Sequence, residues 1–482
     1  IKLIMQDFDL FFVQKTLINM FEKFFDVKDV IMTPIAGSGS DRLYFRMYAH
    51  SVSCVATYVP DAAEGKCFVN LARDFLKCGI SVPKIYVVSS DFHYYLQEDL
   101  GDDSLFSLLK SLDAERLVKE TLLRLATLQK TPENVWKSDC LSKDFSNRQI
   151  MWDLNYFKYE YLKPRNIVFD EEKLENDFER LADKLLNTPD EFCGFMMRDC
   201  QSRNVMITTS GPVFIDFQGG RRGPALYDAV SFLWQARAGF TDDFRKSMLD
   251  LYCMSYCNGD SCKKEKMISI LDEFVLFRTL QVLGAYGFRG LVQNKSHFLL
   301  SIPGALANLK TILDKGVLDE YPELMKIVSE LVDDDLFKTE DSGGNLVVEI
   351  FSFSYMKGYP QDMSGNGGGF IFDCRSLHNP GRYREYKNLT GKDYQVIEFL
   401  ERIGEVSNFL YGVWSLSDPA IERYIKRGFT HIQIGFGCTG GQHRSVYCAE
   451  KMAAHVKKLF PEVNVRLFHR EQPAISPQDI YL

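Results

Sequence analysis

The residues best suited to chemistry lie in Met196-Met197-Arg198-Asp199-Cys200-Gln201-Ser202-Arg203-Asn204-Val205-Met206-Ile207 and, shortly after, in Val213-Phe214-Ile215-Asp216-Phe217-Gln218. An aspartate, an asparagine five positions on and a second aspartate after an apolar strand form the layout that phosphoryl transfer to a hydroxyl needs. In that layout Asp199 orients or deprotonates the acceptor hydroxyl, while Asn204 and Asp216 hold Mg2+ against the phosphates of a nucleotide. A hairpin between them would let all three side chains converge. The competing reading makes Asp199 and Asn204 loop caps and Asp216 a turn residue. The second aspartate, twelve residues beyond Asn204 and downstream of a strand-rich region, favours the chemistry.

Two further stretches suit a nucleotide such as ATP. Ile35-Ala36-Gly37-Ser38-Gly39-Ser40-Asp41-Arg42 is a turn between strands in which Ser38, Gly39 and Ser40 can offer backbone N–H groups to phosphates, with Arg42 adjacent. As a bare pattern it is also an ordinary flexible hairpin. Tyr95-Leu96-Gln97-Glu98-Asp99-Leu100-Gly101 falls where a hinge strand would meet an adenine, which makes Gln97 and Asp99 candidates; its alternative is a plain strand end. Tyr227-Asp228 reads as structural support for the Asp216 loop.

A second constellation stands near the C-terminus. His431-Ile432-Gln433-Ile434-Gly435-Phe436-Gly437 is an apolar strand that runs into Cys438-Thr439-Gly440-Gly441-Gln442-His443-Arg444-Ser445 and then a helix. Successive N–H groups in such a loop, together with the helix N-terminus, favour a bound phosphate. Arg444 can add a bidentate pair, and Thr439, His443 and Ser445 further hydrogen bonds. A tight glycine turn is the plainer alternative. Cys438-x5-Arg444-Ser445 is also the spacing of cysteine phosphatases, a chemistry that needs a general acid the sequence does not identify.

These groups must be positioned by a chain of 482 residues, 46% hydrophobic and 25% charged. At ~100–200 residues per domain this is two to four globular domains. With 57 Lys+Arg against 65 Asp+Glu the net charge is −8, which disfavours a general nucleic-acid binder. No run of 18 apolar, uncharged residues occurs, and Asp7 interrupts any secretory apolar region, so a soluble, cytoplasmic chain without a membrane partner is expected. Twelve scattered cysteines read as thiols of a reducing compartment. Cys253, Cys257 and Cys262 lack a fourth ligand for zinc and read as helix-end cysteines.

Apolar spacing predicts a helix over 9–25, strands over 42–47, 53–58, 84–88 and 93–97, and a helix over 68–77 closed by Gly79. Helical periodicity then dominates to about 331. The expected organisation is a β-rich lobe (1–98), a helical lobe (99–332), an acidic linker ending in Gly-Gly (333–344) and an α/β unit (345–482). The last unit has 16 basic and 14 acidic residues.

Residues 1 to about 332 resemble the aminoglycoside phosphotransferase-like kinases, most closely the bacterial anomeric kinases that phosphorylate N-acetylmuramate and N-acetylglucosamine at C1. The matching stretches are Gly39 through Arg46, Gly79-Ile80-Ser81-Val82-Pro83, Glu98-Asp99-Leu100-Gly101, Arg198 through Asn204, and Asp216 through Asp228. The resemblance implies an α+β bilobal protein-kinase-like fold, Mg2+-ATP as donor and a sugar hydroxyl as acceptor. Two departures stand out: Met197 replaces a usual His, and Val55-Ala56-Thr57-Tyr58 lacks the phosphate-pairing Lys, leaving Arg42, Lys66 or Lys84 to substitute or the phosphates to rely on Mg2+ and backbone amides.

The unit from Val347 to Gln472 is similar to the C-terminal domain of the RNase adapter RapZ. The resemblance rests on Ile350 through Gly358, Phe372 through Pro380, Leu389-Thr390-Gly391-Lys392-Asp393 and Gly437 through Glu450. It implies an amino-sugar phosphate held by Cys438 to Ser445, with Asp373, Arg375 and Asn379 as pocket neighbours; a local Asp373–Arg375 ion pair is the alternative. Some family members also bind RNA. The basic tail they use is absent from this sequence, and a net charge of +2 gives RNA no electrostatic support.

Overall fold

The computed structural model describes residues 2–35, 42–136, 144–293, 296–299, 301–333, 346–359, 368–402 and 404–472. Ser38, Gly39 and Ser40, and the linker beyond Asp333, lie outside the described residues. The chain divides into two compact units, Ile1–Ala285 with Gly304–Asp333, and Tyr286–Pro303 with Asp334–Leu482.

In the first unit β1 (Ile31–Ile35), β2 (Leu43–Ala49), β3 (Val52–Tyr58), β4 (Ile85–Val88) and β5 (Tyr94–Gln97) form an antiparallel sheet in the order β1-β2-β3-β5-β4. The alternation of Phe45, Met47 and Ala49 on β2 turns one sheet face inward. There Val13, Leu17 and Phe21, one stripe of the helix Lys2–Phe25, close the core with Cys54, Ala56 and Leu96. The helix expected over 68–77 begins six residues earlier, at Ala62, because Asp61 caps it by accepting the Ala63 N–H at 2.9 Å. That extra turn carries Glu64. The helix ends at Cys78, and Gly79 takes φ +76° just beyond it.

The rest of the unit is mainly helical. Its exceptions are two short antiparallel pairs, β6 (Cys193–Met196) with β9 (Arg221–Pro224), and the hairpin β7 (Val205–Thr208) with β8 (Gly211–Phe214). The helices Ala114–Gln129, Asn147–Phe157, Ala225–Leu233 and Leu271–Tyr286 supply the side chains that brace the segments between these strands. Cys253 and Cys257 are buried at the end of the helix Asp242–Tyr256, and Cys262 is exposed. This is a protein-kinase-like fold: an antiparallel sheet with its helices, then a helical lobe carrying the β7–β8 hairpin.

The second unit holds four parallel strands, β10 (Val347–Ser354), β11 (Gly369–Asp373), β12 (His431–Cys438) and β13 (Asn464–His469), in the order β11-β12-β10-β13. Ile350, Ile434, Phe436, Met452 and Val456 belong to the core that joins the sheet to the helix Arg444–Leu459. From the central neighbours β10 and β12 the chain continues to opposite edges of the sheet. Their carboxyl ends, where Ser354 pairs with Cys438, therefore form a topological switch point.

Candidate active site and anion-binding loop

Asp199 follows β6 in a segment whose shape is imposed from beneath. The buried Asp228 carboxylate accepts the N–H groups of Met197 at 2.7 Å and Arg198 at 2.9 Å, and Gln129 donates to it at 3.1 Å. Arg198 is thereby held at φ +75°, a region costly for a side chain of its size. Burial pushes the Asp228 carboxyl up to about 7 even though three donors favour its charged form.

Asp199 is met by two arginines. Arg278 Nη2 donates to Oδ1 at 2.9 Å and Arg203 Nη2 to Oδ2 at 3.1 Å; Gln201 adds a bond to Oδ1 at 2.7 Å. Burial pushes the Asp199 carboxyl up, but the guanidinium groups of Arg278 and Arg203 outweigh it and hold the group below the ordinary aspartate range. Arg278 is itself buried and anchored by Tyr227 OH and Gln281 Oε1.

Asn204 donates its Nδ2 to the Asp199 carbonyl at 2.9 Å and to Oδ2 at 3.3 Å, which turns its Oδ1 away. Its backbone carbonyl accepts the Ile215 N–H at 3.0 Å, so the hairpin β7–β8 delivers Asp216 next to the same loop. Asp216 adopts φ +61°, a conformation aspartate tolerates. Its Oδ1 accepts from Arg42 at 3.1 Å and Gln218 at 2.8 Å, and Oδ2 has no partner among the described residues. Asp199 and Asp216 each keep 37% of their side-chain surface exposed. One carboxylate oxygen and one amide oxygen, both free, are the hard donors that Mg2+ takes beside phosphate oxygens, so the residues present fit that ion.

Of the candidates to substitute for the strand lysine, Arg42 is the one that contacts Asp216. Its Nη2 reaches both Asp216, at 3.1 Å, and Glu64 on the helix Ala62–Lys77, at 2.9 Å. Lys66 and Lys84 are exposed. Gln97 donates to Thr57 Oγ1 at 3.4 Å and keeps Oε1 buried without a partner. Asp99 is occupied differently: both oxygens accept from Arg46, at 2.9 and 3.1 Å, and Oδ1 also takes the Gly101 N–H. It ties β2 to the segment after β5.

In the second unit Cys438 Sγ receives the Gly441 N–H at 3.2 Å and lies 3.1 Å from Ser445 Oγ. Ser354 Oγ donates to the Thr439 carbonyl at 2.6 Å, locking the ends of β10 and β12 together. Gly441 takes φ +67°, and a Cβ there would stand 2.3 Å from Glu471 Cγ, so glycine is required. The polar side chains of the loop face outward to its supports. Gln442 donates to the carbonyls of Lys387 and Leu389, His443 Nε2 bonds Tyr386 O at 2.9 Å, and Arg444 Nη1 donates to Arg375 O and Leu377 O. Asp373 pairs with Arg375 at 2.6 Å, Arg375 stacks over Tyr355, and Asn379 caps the Gly381 N–H. What remains for an anion is Thr439, Gly440, the Arg444 Nε, which is buried without a partner, and the first-turn N–H groups of the helix that starts at Arg444.

Residues 31–262 match the sequence model of the phosphotransferase enzyme family, and residues 346–473 that of the RapZ C-terminal domain. The chain joins a phosphotransferase-family domain to a RapZ C-terminal domain. A nucleotide-binding protein of Fervidobacterium nodosum is 38% identical to it over 135 residues, covering 28% of this chain and 45% of that protein. One of Xanthomonas axonopodis pv. citri is 33% identical over 189 residues, covering 37% and 62%. The chain thus spans less than two thirds of the length of either relative. Among solved structures, an ethanolamine kinase of Plasmodium vivax superposes with a TM-score of 0.44 at 16% identity, covering 59% of this chain and 82% of that one. A choline kinase of Cryptosporidium parvum gives 0.44 at 13%, covering 66% and 99%. No helix among the described residues is long and apolar enough to cross a membrane.

Several residues of this candidate site carry no local signal. Arg278 lies 79 positions from Asp199, and Asp153 and Gln281 are joined to it only through the folded chain. Glu64 was hidden in a helical turn whose apolar pattern is weak, although Asp61 as a cap marks where that turn starts.

Proposed function

We propose that the chain is a Mg2+- and ATP-dependent small-molecule kinase that phosphorylates a sugar or N-acetyl amino sugar at the anomeric hydroxyl. In the same proposal the RapZ-type domain holds a sugar phosphate as a regulatory or product-handling site. The observation that carries the reading is the hydrogen-bonded unit of Asp199 and Asn204, tied through the Ile215 N–H to Asp216. Asp199 orients the acceptor hydroxyl and takes its proton as the hydroxyl oxygen bonds to the γ-phosphorus and the bond to the β–γ bridging oxygen breaks, releasing ADP. Asn204 Oδ1 and Asp216 Oδ2 would hold Mg2+, which when bound neutralises charge on the phosphates. Arg42 supplies a positive charge at the phosphate end, and Gln97 Oε1 offers an acceptor to an adenine amino group. Asp99, consumed by Arg46, positions the hinge instead of touching nucleotide.

The test is product analysis by phosphorus NMR after incubation with free sugars and amino sugars. A C1-phosphate made by the wild type and lost in Asp199→Asn supports the reading; equal product from the variant refutes the role of Asp199. Removing an oriented acid–base group costs ~10²–10⁴-fold in rate.

Cysteine-phosphatase chemistry is favoured by one observation, the N–H and hydroxyl contacts of Cys438 Sγ. Against it, the sequence identifies no general acid for the leaving group; the arginine that would grip the phosphoryl group spends Nη1 on two carbonyls and keeps a buried Nε without a partner. A Cys438→Ser variant that abolished phosphate release would restore that reading. The alternative is a nucleotide-binding adapter without turnover, acting on RNA or protein partners, for which the missing strand lysine is the motive; nucleotide binding with no ATP consumption on any sugar would favour it.

A further inference from the structure

A buried guanidinium is costly unless a carboxylate faces it, and an uncompensated one marks a place where a ligand completes the charge. Beside Asp199 the balance fails. Arg198 and Arg221 face one carboxylate, Asp153, with the Tyr227 hydroxyl alongside. Arg198 Nη2 takes both Asp153 oxygens, at 2.7 and 2.8 Å. Gln149 and Gln281 occupy what Asp153 has left, at 3.4 and 2.8 Å.

Arg221, 5% exposed on β9, has one hydrogen bond, from Nη1 to Gln149 Oε1 at 2.9 Å, and its Nε is buried without a partner. Among the described residues Arg221 Nη2 and Arg198 Nε and Nη1 also lack partners. Burial and the neighbouring Arg198 lower Arg221 to about 10, the behaviour of a cation with too little negative charge around it. Arg278, the third guanidinium nearby, is already matched by Asp199.

The placement of this corner says which substrate it would meet. Arg198 directly precedes Asp199, and Asp153 reaches Asp199 through Gln281 and Arg278. The metal-ligand candidate Asp216 is tied instead to Arg42 and, through it, to Glu64. The unmatched charge therefore belongs to the acceptor's side of the loop.

We propose that Arg198 and Arg221 form an anion-reading corner of the acceptor site, so that the acceptor carries a carboxylate or a phosphate in addition to the hydroxyl presented to Asp199. This rests on the kinase reading of that site. Planar guanidinium forks with free N–H groups suit the paired oxygens of either anion.

The test is calorimetric titration of the full chain, without nucleotide, with glucose, glucuronate and glucose 6-phosphate. At least one anionic sugar is expected to bind tenfold or more tightly than glucose, and that advantage to fall below threefold in Arg221→Gln. Which of the two anions wins identifies carboxylate or phosphate. Equal binding of the three sugars, binding of none, or a preference that survives Arg221→Gln overturns the proposal. Should Arg221→Gln fail to fold, Arg221→Lys keeps the charge without the fork and is expected to lose at least threefold; an unchanged preference there overturns the proposal as well. Parallel ATP-consumption assays separate the two readings. Arg221-dependent anion binding without ATP consumption refutes the kinase and leaves the corner standing, whereas turnover indifferent to acceptor charge refutes the corner.

Discussion

Replacing Arg278 by Gln removes the guanidinium that meets Asp199 Oδ1 at 2.9 Å without deleting a residue of the proposed chemistry. Arg278 is 8% exposed, so its charge acts with little solvent screening. A hydrogen bond to a charged group is worth ~1.5–3 kcal/mol, and ~1.4 kcal/mol is a factor of ten, so kcat/KM is expected to fall about tenfold to a hundredfold. The sign of the pH effect follows from what stays behind. Burial, which pushes the Asp199 carboxyl up, is then opposed by Arg203 without Arg278, and the group must rise. The acidic limb of the pH–rate profile should accordingly move to higher pH, with the loss largest at low pH. Arg278→Lys, which restores charge without the fork, should recover part of the rate. The assay is initial-rate ATP consumption against pH for the three proteins on one sugar. A uniform loss with an unshifted acidic limb would show that Arg278 matters only for packing, and the reasoning would fail.

Arg42→Ala should raise the KM for ATP about tenfold, as loss of a charge-assisted contact implies, with Arg42→Lys between it and wild type in steady-state kinetics. The Asp228 carboxyl, raised to about 7, contributes stability that is present below the ordinary aspartate range and lost as pH rises through 7. Urea titrations at pH 5 and pH 8 should therefore show wild type losing stability relative to Asp228→Asn at the higher pH; a constant difference would contradict it. Gly441→Ala forces a Cβ against Glu471 at φ +67°, and should destabilise the second unit by about 1–2 kcal/mol and weaken binding of inorganic phosphate, measured by calorimetry.

How much of this could be read from residues depends on how far apart the cooperating groups stand. The strands after residue 42 announced themselves through β-branched and aromatic alternation, and β2 and β3 lie within two residues of where that pattern puts them. Asp199, Asn204 and Asp216 share one hairpin, so sequence spacing carries their geometry. For Asp99, a strand pattern cannot reveal that Arg46, 53 positions earlier, would consume both its oxygens. The same limit hid Arg278 and Asp153, which belong to helices whose apolar stripes say nothing of a polar residue turned inward. In the glycine loop the order of residue types suggested side chains reaching for an anion. The folded loop spends Gln442, His443 and the Nη1 of Arg444 on carbonyls of the 375–389 segment, because backbone groups in that irregular segment need donors, and leaves the Arg444 Nε buried without a partner.

The most direct measurement is Mg2+-titrated ATP consumption by the full chain across a panel of free sugars and amino sugars, in wild type and Asp216→Ala. Turnover is expected with at least one sugar, saturating with Mg2+ and falling by at least a hundredfold in the variant. ATP binding without consumption on any sugar, or consumption that Asp216→Ala leaves intact, would contradict it.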